Sequence, residues 1–428
     1  MHAREPIRDW QQMRVKRDRR APAGVVEWIA AHATPLVSPE AGHGFGDMAP
    51  IARLVGAAKI VALGEATHGT REFFQLKHRF LEYLVARLGF TVFAIEASQS
   101  ECRAIDDYVL HGRGDARAAL AGVRYWTWNT EEVLSMIEWM RAWNADPGHV
   151  AKVRFRGFDM QITAGAHAGV AEFLERVGAD PALIAPIGPL AQPPSREGPA
   201  HGARVRAGLA RIARTFDAHR KAWIARTSAD EFARARHDVT ILQQATRMAA
   251  SRSPLGARDR SMADNVVWIL NHEPRGARIV LWAHNGHIAN RLAAYRNMGS
   301  VLRGRFKAGY VNLGFVFARG SFQAMTGESK GHPEVVTVGP PPAGGAGAAF
   351  ARAGLPLFVL DLRNLPRSGP VRDWFAAAHP VREIGALYDG EKEMSSRQVL
   401  PDLYDAVIFV ERTTPARPPS RIVPDQPR

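Results

Sequence analysis

Two apolar patterns alternate along the chain. Short unbroken apolar runs suit strands buried on both faces, as in a parallel sheet, whereas apolar residues three and four apart mark one face of a helix. The first run, Lys59-Ile-Val-Ala-Leu-Gly64, ends in the polar loop Gly64-Glu-Ala-Thr-His-Gly-Thr70. From Arg71 the period changes: Phe73, Leu76, Phe80, Leu84 and Leu88 recur at helical spacing, and Gly89 follows as a C-terminal stop. A second run, Thr91–Ile95, leads to Glu96. Strand, helix and strand at this separation form a βαβ unit, whose right-handed crossover makes the strands parallel. Val153–Phe158, ending at Asp159, and Arg278–Ala283, ending at His284-Asn-Gly-His287, repeat the strand signature. Leu357–Asp361 and Ala406–Val410 supply later strands.

Helices are expected at Val25–His32, before a Gly-rich loop to Met48, and after Asn129-Thr-Glu-Glu132. That tetrad reads as a capping box with Asn129 as the cap, and Val133, Ile137, Met140 and Trp143 give its helix an apolar stripe. Residues 186–203 are rich in Pro, Gly and Ala and predict a surface loop or insertion, followed by long helices over 204–250 and 261–271. Tyr310–Phe317 and Ser321–Met325 predict an antiparallel hairpin, and Pro340–Gly347 a flexible loop. The predicted fold class is α/β, a mostly parallel central sheet flanked by helices with a helical subdomain inserted. Residues 1–22 are expected to form a flexible basic extension and 23–185 the first part of the α/β core. Residues 186–275 are expected to form the helical subdomain, 276–412 the second part of the core, and 413–428 a flexible tail. The chain carries no internal repeat.

Composition narrows the class. The 428 residues are 46% hydrophobic and 23% charged, ordinary for a globular chain. A net charge of +14 raises a nucleic-acid reading, because Lys and Arg displace counterions from phosphate. Its placement argues against that partner. Arg4, Arg8, Arg14, Lys16, Arg17, Arg19 and Arg20 are diluted by Glu5, Asp9 and Asp18, and no helix-turn-helix, zinc-finger or RNP motif accompanies them. The expectation is a solvated Arg-rich surface. A single cysteine, Cys102, excludes a disulfide within the chain and suits a reducing compartment. The N-terminal residues lack a signal-peptide apolar stretch, and no apolar run of about 18 residues occurs. A cytoplasmic location without a membrane partner is expected, and oligomeric state stays open.

Four strands end in polar or ionisable groups: Glu65 and His68, Glu96, Asp159, and His284 with His287. In open parallel sheets, ligands bind outside the carboxyl ends of strands. His68 stands just before a helix, where the dipole disfavours imidazolium and favours the neutral form a general base needs. Thr70 is the better helix cap, which leaves His68 free, and Glu65 can hold its tautomer. Lys77, one turn after Phe73, either snorkels outward or enters the site. His284 and His287 flank a turn-prone Asn-Gly and read equally as metal ligands, electrophiles for an oxyanion or a structural pair. Gly327-Glu-Ser329-Lys-Gly331 matches a nucleophile elbow, but His332-Pro333 and the β-rich Val335–Val338 follow where a helix is required, so Ser329 reads as a chance match. Cys102, just after a strand, reads as packing. The chain has no P-loop, dinucleotide fingerprint or Cys-x-x-Cys, and no cofactor is expected.

Gly64-Glu-Ala-Thr-His68-Gly, Glu72-Phe73, Lys77, Gly89-Phe90 and Phe93-Ala-Ile-Glu96 resemble the erythromycin esterase family. Gly157-Phe158-Asp159, Trp282-Ala-His284-Asn-Gly-His287 and Tyr404-Asp405-Ala406 extend the resemblance over about residues 50–412. It implies an α/β fold with a helical subdomain and metal-independent hydrolysis of macrolide lactones, a resistance-type activity. It implies His68 as general base, with Glu65, Lys77, Glu96, His284 and His287 completing the site. Lys77 stands where the family commonly has an arginine, keeping the charge without the bidentate fork. The resulting expectation is ester or lactone hydrolysis by His68-activated water. Glu65 or Glu96 orients the base, Lys77 and one histidine of the second pair stabilise the oxyanion, and Lys77 and Asp159 contact substrate. Two other classes stand beside it: a metal-dependent hydrolase with a His/Glu site, and a non-catalytic basic binding protein.

Overall fold

The structure, a computed structural model, describes residues 20–191, 199–329, 331–390 and 394–419. Most of the expected N-terminal extension, part of the Pro-rich 186–203 segment and the end of the expected tail lie outside the described residues. In chain order the strands are β1 Thr34–Pro35, β2 Ile60–Leu63, β3 Val92–Ser98, β4 Arg154–Asp159, β5 Ile279–Trp282 and β6 Tyr310–Ala324. β7 Glu334–Val338, β8 Leu357–Asp361, β9 His379–Arg382, β10 Ser395–Gln398 and β11 Ala406–Thr413 follow. The main sheet runs β1-β8-β11-β6-β2-β5-β3-β4, with β7 on β6. β11, β6, β2, β5, β3 and β4 are parallel to one another; at one edge β8 pairs antiparallel with β11, and β1 antiparallel with β8. The expected mostly parallel α/β fold is what the chain adopts.

Every residue of β2, β3 and β5 is buried, as their unbroken apolar runs require. Alternate side chains feed two cores: Val61, Leu63, Phe93, Ile95, Val280 and Trp282 on one face, and Ile60, Ala62, Val92, Ala94, Ile279 and Leu281 on the other. The register sets Leu63 beside Trp282 and Trp282 beside Ile95. The residues just past them, on neighbouring strands, therefore emerge together at the carboxyl edge.

A third core, around Phe173, Phe216, Trp223 and Phe232, belongs to the helices Ala164–Arg176, Pro199–Arg226 and Ala229–Ala249. This core reaches from Met160 to Leu242. It ends before the helix Pro254–His272, whose Met262, Ala263, Val266 and Ile269 pack on the sheet. Amphipathic periodicity reports that a helix buries one face, not which core receives it.

Four local expectations are corrected. Thr130, not Asn129, caps the helix Glu131–Ala145, its Oγ1 accepting from Val133 N at 3.3 Å. Glu132 instead receives the Arg417 backbone N–H and guanidinium. Tyr310–Ala324 is one long strand, bent at Gly320 (φ +128°), and its hairpin partner is β7. The 340–347 loop gives way to a helix at Ala346. Residues 413–416 are not free either: Thr413 closes β11, Thr414 is held by Glu72, and Ala416 is buried.

Candidate active site

The carboxyl ends of β2, β5, β3 and β4 are adjacent, and they gather Glu65, His68, Glu96, Asp159, His284 and His287. Two charge clusters result, with His284 between them.

The first cluster is built on the β2 loop. Glu65 is fully buried; one carboxylate oxygen lies 2.5 Å from His68 Nδ1, and the other accepts from Lys77 Nζ at 2.5 Å and Trp282 Nε1 at 2.8 Å. Lys77 is i+4 from Phe73 and shares its core-facing stripe, which turns the ammonium inward, 4.2 Å from the centre of the Trp282 ring. Burial lowers the lysine to about 8, against the attraction of Glu65. With Nδ1 committed to Glu65, His68 has Nε2 left for proton transfer, and its side chain is 13% exposed where Glu65 is sealed. Gly69 lets this loop lie flush on β6: a Cβ there would stand 2.0 Å from Gln323 O. Thr70 occupies the N-cap position, but its hydroxyl pairs with that of Thr67 at 2.5 Å rather than with the helix backbone.

The second cluster surrounds Arg258, on the helix Pro254–His272. Its Nη2 donates to Glu96 and to Asp159, both at 2.7 Å, and its Nε lies 3.2 Å from both Asp159 oxygens. His287 Nε2 is 3.1 Å from Arg258 Nη1 and 3.3 Å from Glu96, and Nδ1 is 2.7 Å from Asp259. The Asp259 contact is close enough for an ion pair but poorly aligned for a hydrogen bond, since neither atom has a hydrogen-bond partner among the described residues. Burial opposes charge on Glu96, yet His287 and Arg258 outweigh it and hold the carboxyl well below the usual carboxylate range. Burial likewise opposes the His287 imidazolium, and Glu96 and Asp259 outweigh it, raising the ring to about 10.

His284 links the clusters. Its backbone N–H donates to Glu96 at 2.9 Å, and its ring lies 5.2 Å from that of His68. Burial, reinforced by His68 and His287, keeps it well below the usual histidine range and so neutral. Nδ1 accepts from Gly286 N at 3.2 Å, which assigns the proton to Nε2. That buried Nε2 has no hydrogen-bond partner among the described residues. Trp128 stands edge-on to His68 and donates its indole N–H to Glu96 O.

Lys77 and Asp159, expected to contact substrate, are both fully buried and engaged with Glu65 and with Arg258. Sequence reading also missed Arg258, Asp259, Trp128 and Glu383. Ser253-Pro254, a helix-start signal with Pro at the first position, would have extended the helix back over Arg258 and Asp259. Ser329 lies in a bend outside any helix, as expected of a chance motif. Cys102 is buried, and burial raises its thiol well above the usual range. Among the described residues no group of three His, Cys, Asp or Glu side chains is arranged to hold a metal ion. No described helix is long and apolar enough to cross a membrane.

Residues 85–413 match the sequence model of a family described as erythromycin esterase. That span contains Glu96, Asp159, Arg258, His284 and His287 and begins after Glu65 and His68. Erythromycin esterase type II of Escherichia coli is 23% identical over 89% of this chain and 99% of its own. Among solved structures, a Bacillus cereus protein superposes with TM-score 0.82 at 24% identity, over 93% of this chain and 99% of that one. A mutant of the erythromycin esterase EreC, in its open conformation, superposes with TM-score 0.68 at 17% identity, over 87% and 95%. At these identities the two structures establish a shared fold.

Proposed function

The chain belongs to the erythromycin esterase family, and from that premise we propose that it is a hydrolase cleaving a carboxylic ester or lactone by direct attack of water activated at His68. The carrying observation is the Glu65–His68 contact through Nδ1, which leaves Nε2 for proton transfer on a ring 5.2 Å from that of His284. Water bound at His68 Nε2 loses a proton to the imidazole as its oxygen adds to the carbonyl carbon. The carbonyl oxygen, becoming an oxyanion, receives the Nε2–H of His284, a ring that burial keeps neutral. Glu65 fixes the His68 tautomer and steadies the imidazolium, and Lys77, bonded to its other oxygen, aligns it. Glu96, anchored by Arg258, sets the His284 backbone.

The substrate is a small-molecule ester or lactone. A macrolide is the first candidate, because the E. coli relative is named for erythromycin. A metal-dependent mechanism is the weaker reading, since the carboxylates of Glu65, Glu96 and Asp159 are committed to Lys77 and Arg258. The test is incubation of metal-analysed protein with erythromycin and a panel of simple esters, followed by mass spectrometry. Addition of one water to the macrolide supports a macrolide esterase, and hydrolysis of smaller esters alone redirects the substrate while keeping the chemistry. Inactivity on the whole panel contradicts the reading.

A further inference from the structure

A carboxyl group that neither cluster uses stands beside His284. Glu383 follows β9, in a segment that folds back over the β2 loop. Ile384 N and Gly385 N both donate to Ala66 O, and Gly385 O accepts from His68 N. Gly385 (φ +66°) lays bare backbone across both imidazoles, where a Cβ would stand 3.7 Å from His68 Cδ2 and 3.8 Å from His284 Nε2. On the same segment, Glu383 Oε1 accepts from Asn285 Nδ2 at 3.1 Å and Gln398 Nε2 at 3.4 Å. Its Oε2 lies 3.6 Å from His284 Nε2, too far for a hydrogen bond. Glu383 Oε2 is buried and without a hydrogen-bond partner among the described residues. A leaving-group oxygen, on the same carbon as the oxyanion assigned to His284, would satisfy it.

We propose that Glu383 is the general acid of the hydrolysis, its protonated carboxyl giving a proton to the leaving-group oxygen seated beside His284. This rests on the hydrolase reading above. His68 takes a proton from water while the hydroxyl oxygen bonds to the carbonyl carbon. The bond from that carbon to the leaving oxygen then breaks, the departing oxygen takes the Glu383 proton, and the carboxylate left behind regains it from solvent as His68 releases its own. Burial supports the protonated state: it raises the carboxyl to about 8, and the Asn285 and Gln398 amides only partly offset it. The groups facing Glu383 are the neutral His284, the Tyr404 phenol, those two amides and, across Gly385, His68. Base and acid are thereby separate residues in different environments.

The test compares two esters of one acid, a p-nitrophenyl ester whose leaving group departs unprotonated and a simple alkyl ester whose leaving group needs a proton. Glu383→Gln should lower kcat/KM on the alkyl ester about 100-fold and on the p-nitrophenyl ester less than about threefold. The wild-type alkyl-ester profile should fall as pH rises through about 8, and that limb should vanish in the variant. Equal losses on both esters would make Glu383 a positioning residue for His284 and overturn the proposal, as would no loss on either. The wild type supplies a test that needs no variant: a rate falling steeply as the leaving group becomes more basic overturns it. Wild type inactive on every ester overturns the hydrolase reading and this one with it, whereas an active wild type without the asymmetry overturns only the acid.

Discussion

Replacing Arg258 by methionine would remove the cation from the second cluster at nearly constant volume. Arg258 makes charge-assisted hydrogen bonds to Glu96 and Asp159, and both carboxylates are buried. Glu96 keeps His287 at 3.3 Å, but Asp159 is left with the Met160 N–H at 2.8 Å. Breaking a buried pair by removing one partner costs about 3–5 kcal/mol, because the other charge stays desolvated. Against a typical total stability of about 5–15 kcal/mol this is a large share. Urea unfolding should show a lower midpoint with an unchanged slope. Arg258→Lys keeps the charge but not the fork, so its loss should be smaller, about 1.5–3 kcal/mol. Asp159→Asn in the methionine background should recover about 1–3 kcal/mol by deleting the stranded charge. A loss below about 1 kcal/mol for Arg258→Met, or a double variant no more stable than the single, would refute the argument that Arg258 holds the cluster by charge compensation.

Two further outcomes follow from the same geometry. Glu65→Gln keeps the shape but strips His68 and Lys77 of their counter-charge; kcat on any ester the enzyme cleaves should fall at least about 100-fold, with the fold retained by circular dichroism. A wild-type kcat would remove Glu65 from the mechanism. His287 is raised from 6.5 unfolded to about 10 folded, so the native state holds more protons between those values and stability drops as pH rises through that window. Denaturant titrations from pH 6 to 10 should show this decline in wild type and a flatter course in His287→Gln; identical slopes would contradict the charged His287.

The sheet was legible because strands buried on both faces leave an unmistakable apolar run, and each ended at the polar residues that now meet. The Glu65–His68 contact followed from a three-residue separation in a tight loop. Arg258 was hidden for a different reason: its partners Glu96 and Asp159 lie 162 and 99 residues away, and no local period encodes such a pairing. Glu383 comes from a segment whose neighbours on β2 and β5 are equally remote. Lys77 could be placed on the edge of its stripe but not turned inward or outward, because burial of a lysine depends on a counter-charge supplied by another element. The packing of the helix Pro254–His272 was hidden similarly, since it has the same amphipathic signature whether it packs on the sheet or on other helices.

The central claim, that His68 activates the attacking water, is tested most directly by the turnover of His68→Ala on an ester that wild type cleaves. The account predicts a kcat at least about 1,000-fold lower, with an unchanged circular dichroism spectrum and urea midpoint. Turnover within a few fold of wild type would contradict it.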